Sequence, residues 1–435
     1  MYNLWCFAPA PPAGPSTAGG ARLKLKFDRD AVISVVFIAF LFVVLAGTGA
    51  RLYVNRQETL TLYAETAGAN AGAAAKAKAA AFAICKKLNG LDENLFRRTD
   101  FISLHGLVNR AMGNRIMEEK NSGERSVIKL DDGYLTFIDP RPDGGFAQTS
   151  AAAIASFGSQ LAASGSRLLY VQMPFKINSL DPQLPRGVAD YTNAKASGLL
   201  GALEARGVAT FDLRQRILEQ RLDYHALFFR TDHHWLPSTG LWAAGEMCGE
   251  LNKNFGFSAD AGLIDPANFT RTVYQKSWLG SQGKRVGKHY AGLDDFEVLL
   301  PKENTDFYYY YTSGSTSFQK RGRFEDTLVN QKYLQDGNLF VKNCYMYYLG
   351  EDHGLKVIKN MNAPQDKKLL IIGDSYCAAF LPFLALAANA EIRLLDLRHY
   401  EGSAAEYAAL YRPDLTVIAY YPLTFDKPGA FDFNG

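Results

Sequence analysis

From residue 150 onward, short continuous apolar runs alternate with segments of helical period. An Ala-rich helix over Ser150–Ser164 leads into the apolar strand Arg167–Met173, which Pro174 ends. A helix at Asn193–Arg206 precedes a second short strand, Val208–Leu213. Gly240–Phe255 reads as a helix, with Pro237 at its entrance as a favoured first-turn residue. The same rhythm returns near the C-terminus. Leu369–Ile372 is a strand, Ala378–Ala390 a helix, Ile392–Leu395 a strand, Ala404–Tyr411 a helix and Leu415–Tyr420 a strand. Apolar strands without polar alternation are buried on both faces, so the pattern predicts an α/β fold: a mostly parallel sheet with helices on each side. In such sheets ligands bind beyond the carboxyl ends of the strands.

Residues 256–366 break this rhythm. They carry aromatic runs (Phe307–Tyr311, Tyr345–Tyr348) and glycines but no long helical period, and read as an antiparallel β-rich insertion beside the active-site edge. Within it, Gly280–Gly287 (GSQGKRVG) reads as a flexible loop with two cations. Upstream, Asn94–Met112 has the pattern of a charged amphipathic helix. VIKLDDGYLTF (127–137) places Asp-Asp-Gly between two β-rich runs, the signature of a hairpin.

The N-terminal pattern is different in kind. Ala31–Ala50 has no charge, and its 20 residues at ~1.5 Å per residue match a ~30 Å hydrocarbon core. Arg22, Lys24, Lys26 and Arg29 precede it, whereas Arg51 and Arg56 follow. The basic excess on the N-terminal side puts residues 1–30 in the cytoplasm and the rest beyond the membrane. A cleavable signal peptide is the rival reading, because GTGA ends in small residues. The apolar run exceeds the ~7–15 residues of a signal core, which favours an uncleaved anchor. Residues 1–30 are expected to form a disordered tail, with four prolines and three glycines among the first 20. Residues 51–88, Ala-rich from Leu60 to Lys87, read as a helical stalk, and 89–435 as the folded domain.

Composition narrows the function. A net charge of +3 and the lack of a basic stripe with interleaved aromatics exclude a nucleic-acid footprint. Aromatics make up 13%, with 23 tyrosines. They serve either as strands of the inserted sheet or as platforms for sugar rings and partners. The five cysteines lack CxxC or Cys/His spacing, so no structural zinc is expected; Cys85, Cys248, Cys344 and Cys377 allow at most two bridges.

Two motifs about 140 residues apart carry the chemistry: TDHHW (Thr231–Trp235) and IIGDSY (Ile371–Tyr376). In KKLLIIGDSY, four apolar residues followed by Gly-Asp-Ser put Ser375 on a strand-to-helix turn. There a hydroxyl meets the cleft, and backbone N–H groups face a developing oxyanion. The same residues would also serve as a helix cap. A serine nucleophile needs an imidazole to take its proton and a carboxylate to orient that imidazole. In a turn-like or extended stretch Asp232 and His234, at i and i+2, share a side and His233 points away. A capping Asp with half-exposed histidines is the alternative. Asp with two His is also competent for metal, but adjacent histidines rarely ligate one ion together. No metal or cofactor is expected. The acid and base precede the nucleophile and no GxSxG elbow is present, unlike α/β-hydrolases.

In combination these residues resemble known families. IIGDSY resembles the nucleophile block of SGNH/GDSL hydrolases, and TDHHW the Asp-x-His block of the bacterial DHHW and alginate O-acetyltransferase families. LDENLFRRTDFISLHGLVNR and DDGYLTF are similar to their opening region, MPFK (Met173–Lys176) to their Pro-x-Lys segment and GSQGKR to their Gly-Ser loop, so the resemblance spans most of residues 90–425. It implies an SGNH-like three-layer sandwich with Ser375 as nucleophile, His234 as general base, Asp232 as its orienter and Trp235 packing the site. Standard SGNH hydrolases place Asp and His three residues apart, after the serine. This chain does not, so their Gly and Asn oxyanion donors do not carry over. The Ser375 amide, with Lys176, Ser281 and Arg285 near the substrate, stands in their place.

The resemblance implies a membrane-anchored, extracytoplasmic O-acetyltransferase acting on a cell-surface or exported polysaccharide. It further implies a multipass membrane-bound O-acyltransferase as the partner that supplies acetyl. An esterase using the same residues and a non-catalytic polysaccharide-binding or assembly subunit are the alternatives.

Overall fold

The computed structural model describes residues 29–67, 72–89, 95–117, 126–314, 316–364, 366–427 and 429–435. Residues 1–28 of the expected cytoplasmic tail, with Arg22, Lys24 and Lys26, lie outside these. The chain divides into two compact units, Met1–Arg98 and Thr99–Gly435.

In the first unit, helices span Arg29–Val54, Arg56–Ala67 and Ala73–Asn89. Val32–Val54 is long and apolar enough to cross a membrane. Its apolar side chains, Phe37, Leu41, Phe42 and Leu45 among them, are exposed, as a helix facing hydrocarbon requires.

In the second unit, β1 (Ile116–Met117), β2 (Val127–Lys129) and β3 (Leu135–Phe137) form a small antiparallel sheet. The turn between β2 and β3 is the Asp-Asp-Gly segment. The main sheet has eight strands, which begin with β4 (Arg167–Gln172) and β5 (Ala209–Asp212). β6 (Phe269–Trp278) and β7 (Asp294–Pro301) pair as a separate antiparallel ribbon. β8 (Phe307–Ser313), β9 (Thr316–Gly322), β10 (Leu355–Asn360), β11 (Lys367–Gly373), β12 (Ala390–Leu395) and β13 (Leu415–Tyr420) complete the main sheet. Its order is β5-β4-β13-β11-β12-β10-β8-β9. The first five are parallel, and the last three are added antiparallel.

The segment 256–366, read as one β-rich insertion, thus divides: one pair of strands stands apart and three strands extend the main sheet. Phe307 and Tyr309 are buried on one face while Tyr308 and Tyr310 are only half-buried, a pattern for a strand inside a sheet.

The sheet lies between two apolar layers. Leu369 and Ile371 of β11 enter one core and Leu370 and Ile372 the other, with Leu415, Val417 and Ala419 of β13 set against Ile418 and Tyr420 in the same way. Helices Phe146–Ala163, Thr192–Glu204 and Ala404–Tyr411 cover one face, and Pro237–Phe255 and Leu381–Ala387 the other. Each Leu or Ile so enclosed contributes about 1.5–3 kcal/mol. The helix expected from Ala378 begins later. Ser375–Ala379 is a 3₁₀ turn and the α-helix is Leu381–Ala387, since Pro382 lacks an N–H and fits only a first turn.

Gly240 brings the helix Pro237–Phe255 against that 3₁₀ turn; a Cβ there would stand 1.9 Å from the Ala379 carbonyl oxygen. Gly240→Ala would gain about 1 kcal/mol of helix propensity in an open position. Here overpacking dominates, and we expect a net loss of about 1–3 kcal/mol in urea unfolding of the full chain. Unchanged or increased stability would show that the contact is loose.

Candidate active site

The segment Thr231–Trp235 is a chain of bends closed by an antiparallel bridge between Phe228 and Trp235. Two side chains hold it. Asp294, at the start of β7, accepts from the Arg230 amide (2.7 Å), the Thr231 amide (2.8 Å) and the Thr231 hydroxyl (2.5 Å). Lys176 donates to the carbonyls of Leu135 (2.6 Å) and Asp232, and to Gln282 Oε1 (3.2 Å).

Asp232 is 2% exposed. Its Oδ1 accepts from the His234 amide (3.0 Å) and lies 2.6 Å from His234 Nδ1, while Oδ2 accepts from the Ser281 amide (2.6 Å). Burial alone would raise the pKa of this carboxyl. The His233 and His234 imidazoles and these hydrogen bonds prevail and hold it well below the usual carboxylate range. With Nδ1 committed to a carboxylate, His234 carries its proton there and presents Nε2 as an acceptor.

Nε2 of His234 lies 2.9 Å from Ser375 Oγ. Ser375 opens the 3₁₀ turn after β11, at the carboxyl edge of the parallel strands. The preceding residue fixes that turn. Asp374 Oδ1 accepts from the Tyr376 amide (3.0 Å), and Oδ2 from the Tyr421 amide (2.9 Å) and the Thr424 hydroxyl (2.6 Å). Burial pushes the Asp374 carboxyl upward in pKa. Ser375 is half-buried, so its hydroxyl remains open to a reactant. The arrangement is an acid–imidazole–hydroxyl relay able to transfer the hydroxyl proton to nitrogen.

His233 does not turn away as an extended strand would require. Its Nδ1 is 3.7 Å from Asp232 Oδ1 and 2.9 Å from Ser281 Oγ, and its ring lies 3.8 Å from that of His234. The reason is local: these residues form bends, where the two-residue alternation of a strand lapses. Burial first, then the His234 charge, pushes its pKa down to about 3.

The other expected residues separate into two groups. Ser281 reaches the relay through its amide, on Asp232, and its hydroxyl meets the neighbouring His233, while the Arg285 guanidinium lies 4.8 Å from the Phe137 ring centroid. Trp235 and Lys176 are both fully enclosed. Trp235 donates to the Tyr376 carbonyl (3.1 Å), packing the motifs together. Lys176, expected near the substrate, is instead a buried clamp on the backbone, and burial lowers its pKa to about 8. The Gly280–Arg285 segment is a helix start rather than a flexible loop. Its amides at Gly280, Ser281, Gly283 and Lys284 already donate to Thr231, Asp232, Thr231 and Gly280. Neither Lys176 nor these amides can serve an oxyanion.

Asp232, His233 and His234 bring donor atoms within 4.8 Å of one another, a set competent for a metal ion. Each of those atoms has a protein partner: Asp232 Oδ1 and Oδ2, His234 Nδ1 and Nε2, and His233 Nδ1. Binding an ion would require dismantling the relay.

One residue at the site had no signal in the motifs. Tyr345 stacks on His234 with ring centroids 3.6 Å apart and planes 14° apart, and its hydroxyl donates to the Tyr376 carbonyl (3.3 Å). It lies in the Tyr345–Tyr348 aromatic run, which marked the segment but not this contact.

Known proteins resemble this chain as follows. Residues 137–288 match the family model described as the SGNH hydrolase-like domain of the acetyltransferase AlgX. That span holds Asp232, His234 and the Gly280–Arg285 segment and ends before Ser375. A structure of Bacillus cereus PatB1 with a sulfonyl adduct superimposes with a TM-score of 0.58 at 20% identity, over 71% of this chain and 98% of that one. A DHHW family protein from Eubacterium siraeum DSM 15702 gives 0.52 at 17% identity, over 73% and 98%. No curated protein matches the sequence. The fold is therefore the SGNH-like α/β sandwich implied by the motifs, with a mixed sheet.

The His233 pKa yields a pH prediction. An unfolded histidine titrates near ~6.5. Between that value and about 3, the unfolded chain binds a proton that folded His233 refuses. Stability from this group is therefore full above ~6.5 and falls as pH drops towards 3. The melting-temperature advantage of wild type over His233→Gln should shrink from pH 7 to pH 4; a constant difference would mean that His233 takes up a proton as readily in the fold as in the unfolded chain.

Proposed function

We propose that the chain is a serine-dependent O-acetyltransferase that transfers acetyl to hydroxyls of a cell-surface or exported polysaccharide. The observation that carries this reading is the continuous hydrogen-bonded line from Asp232 through His234 to Ser375. The acetyltransferase description of the family matched by residues 137–288 supports the reaction class.

In the first half-reaction, Ser375 Oγ attacks the acetyl carbonyl as its proton passes to His234 Nε2. The imidazolium, paired with ionised Asp232, then gives that proton to the leaving group, and acetyl-Ser375 remains. In the second, a sugar hydroxyl gives its proton to His234 and attacks the ester; the adduct collapses as His234 returns that proton to Ser375 Oγ, releasing the acetylated sugar and free Ser375. The Ser375 amide, at the start of the turn, is the donor we assign to the oxyanion. A half-buried serine also admits water, so hydrolysis is the competing outcome.

We place the catalytic unit beyond the membrane, with Val32–Val54 as an anchor and the donor acetyl delivered by a multipass membrane-bound O-acyltransferase. The apolar helix supports the anchor, and the basic residues before it support the orientation.

The test uses the purified full chain with an activated acetyl ester and an oligosaccharide. Acetylated sugar supports transfer, whereas acetate as the only product points to an esterase. Ser375→Ala and His234→Ala should each lower turnover by about 10³-fold or more. A sulfonyl fluoride should add to Ser375 by mass spectrometry, in keeping with the adduct on PatB1, and His234→Ala should suppress the addition. Full turnover in Ser375→Ala would refute the nucleophile.

A further inference from the structure

A second concave feature lies on the same edge of the sheet as Ser375. It is a cavity of about 220 Å³ whose lining includes Tyr311, Phe318, Lys320, Tyr333, Glu351 and His353. The register of the sheet fixes its place. Ile372 of β11 is level with Leu395 of β12, Leu395 with Leu355 of β10, and the next residue, Lys356, with Tyr311 of β8. Tyr311 therefore stands at the carboxyl edge of the parallel strands, three strands from the nucleophile. At ~4.8 Å per strand this is a lateral offset of about 15 Å.

The side chains there suit a sugar ring. Tyr311 stacks on both His353 (4.3 Å, 13°) and Phe318 (5.2 Å, 20°), so the three rings form a column that makes one wall of the cavity, with Phe318 at its exposed end. Phe318 is 48% exposed and Tyr311, Tyr333 and His353 are half-buried, so the wall is not consumed by the core. Burial and the neighbouring Lys356 lower the His353 pKa and favour its neutral ring. Around the wall stand hydrogen-bonding groups of both senses. The Tyr333 hydroxyl donates to Glu351 (2.8 Å), Lys332 lies 3.7 Å from the same carboxylate, and Lys320 lines the opposite strand. The volume is below the ~300–1,000 Å³ of drug-sized sites, so it suits one ring rather than a chain segment. The cavity is also tied to the relay by sequence. The segment that lays Tyr345 on His234 continues directly into Leu349, Gly350 and Glu351 of the cavity wall.

We infer that this cleft is a distal acceptor subsite, which holds one hexopyranose unit of the glycan a few units away from the hydroxyl presented to Ser375. The inference rests on the reading of the chain as a glycan O-acetyltransferase. It adds that recognition extends beyond the acetylated unit, so that long acceptors are preferred to short ones. The pyranose face packs on Phe318 at the exposed end of the stack, and the ring hydroxyls, or a carboxylate where the sugar is a uronate, meet Lys320, Glu351 and Tyr333.

The test uses the full chain with Ser375→Ala to prevent turnover, and three probes: cellohexaose, chitohexaose and a hexagalacturonate. At least one should bind by calorimetry, and Phe318→Ala should weaken that binding about five- to tenfold. Phe318→Trp should restore it. A galacturonate preference that Lys320→Gln removes identifies an anionic ring; a preference for either other hexamer identifies a neutral one. With the nucleophile intact, Phe318→Ala should raise KM for the preferred hexamer and leave both kcat and turnover of an activated ester without sugar unchanged. It should also leave the KM of the corresponding disaccharide unchanged, since that acceptor does not span the offset. Absence of binding by all three probes, or equal binding by wild type and Phe318→Ala, overturns the subsite even if ester turnover is normal. Loss of ester turnover in the wild type would instead overturn the enzymatic reading.

Discussion

The site is organised around one buried carboxylate. Asp232 is ionised in a place that excludes water, which would cost several kcal/mol if it stood alone. What makes it tolerable is the convergence of the His234 amide, His234 Nδ1 and the Ser281 amide on its two oxygens. That requirement shapes the surrounding loops. Ser281 can come so close only because Gly280 has no side chain: a Cβ there would lie 2.3 Å from Asp232 Cβ. The bend that delivers two histidines to one carboxylate is held open by Asp294 beneath Thr231 and by Lys176 on the Asp232 carbonyl. The electrostatic need of one group thus accounts for a glycine, a buried lysine and a second buried acid.

The position of the hydroxyl is settled separately. Ser375 follows β11, an interior strand of the parallel set flanked by β13 and β12, and Asp374 locks its turn to the end of β13 through Tyr421 and Thr424. The two halves are then joined by bonds that bypass the Ser375–His234 contact: Trp235 to the Tyr376 carbonyl, and the Tyr376 hydroxyl to the His233 carbonyl. A reacting pair must be held within about 0.5 Å to be productive. These bonds supply that constraint without drawing on the Ser375–His234 hydrogen bond itself.

The parts of this arrangement that were legible in the sequence are those with local signals. Buried strands announce themselves by unbroken apolar runs, and β4, β11, β12 and β13 fall where such runs occur. Asp232, His234 and Ser375 belong to short motifs, and the structure brings all three together. Contacts made across long sequence separations leave no such trace. Nothing around Tyr345 indicates that it faces an imidazole 111 positions earlier, and nothing in MPFK says that Lys176 points inward rather than to a substrate. Strand periodicity does not place His233, because its segment is a series of bends. The division of 256–366 was hidden for a related reason, since an antiparallel strand has the same local pattern whether it extends a large sheet or stands in a separate ribbon.

The abundance of tyrosine follows from how the site is built. Bends such as 230–234 and the segment between β9 and β10 lack long runs of ladder hydrogen bonds, so their buried carbonyls need other donors. Tyrosine fills a core with its ring and carries a donor at the tip. Tyr224 donates to Phe175, Tyr290 to Asn114, Tyr309 to Leu349, Tyr345 to Tyr376, Tyr376 to His233 and Tyr411 to Glu391, each to a backbone carbonyl. Three of these acceptors, Phe175, Tyr376 and His233, lie within two residues of Lys176, Ser375 and His234, respectively. Phenol-to-carbonyl tethers therefore do for these loops what ladder bonds do for the sheet. They let the Asp232–His234–Ser375 geometry rest on irregular backbone, whose carbonyls would otherwise lack donors.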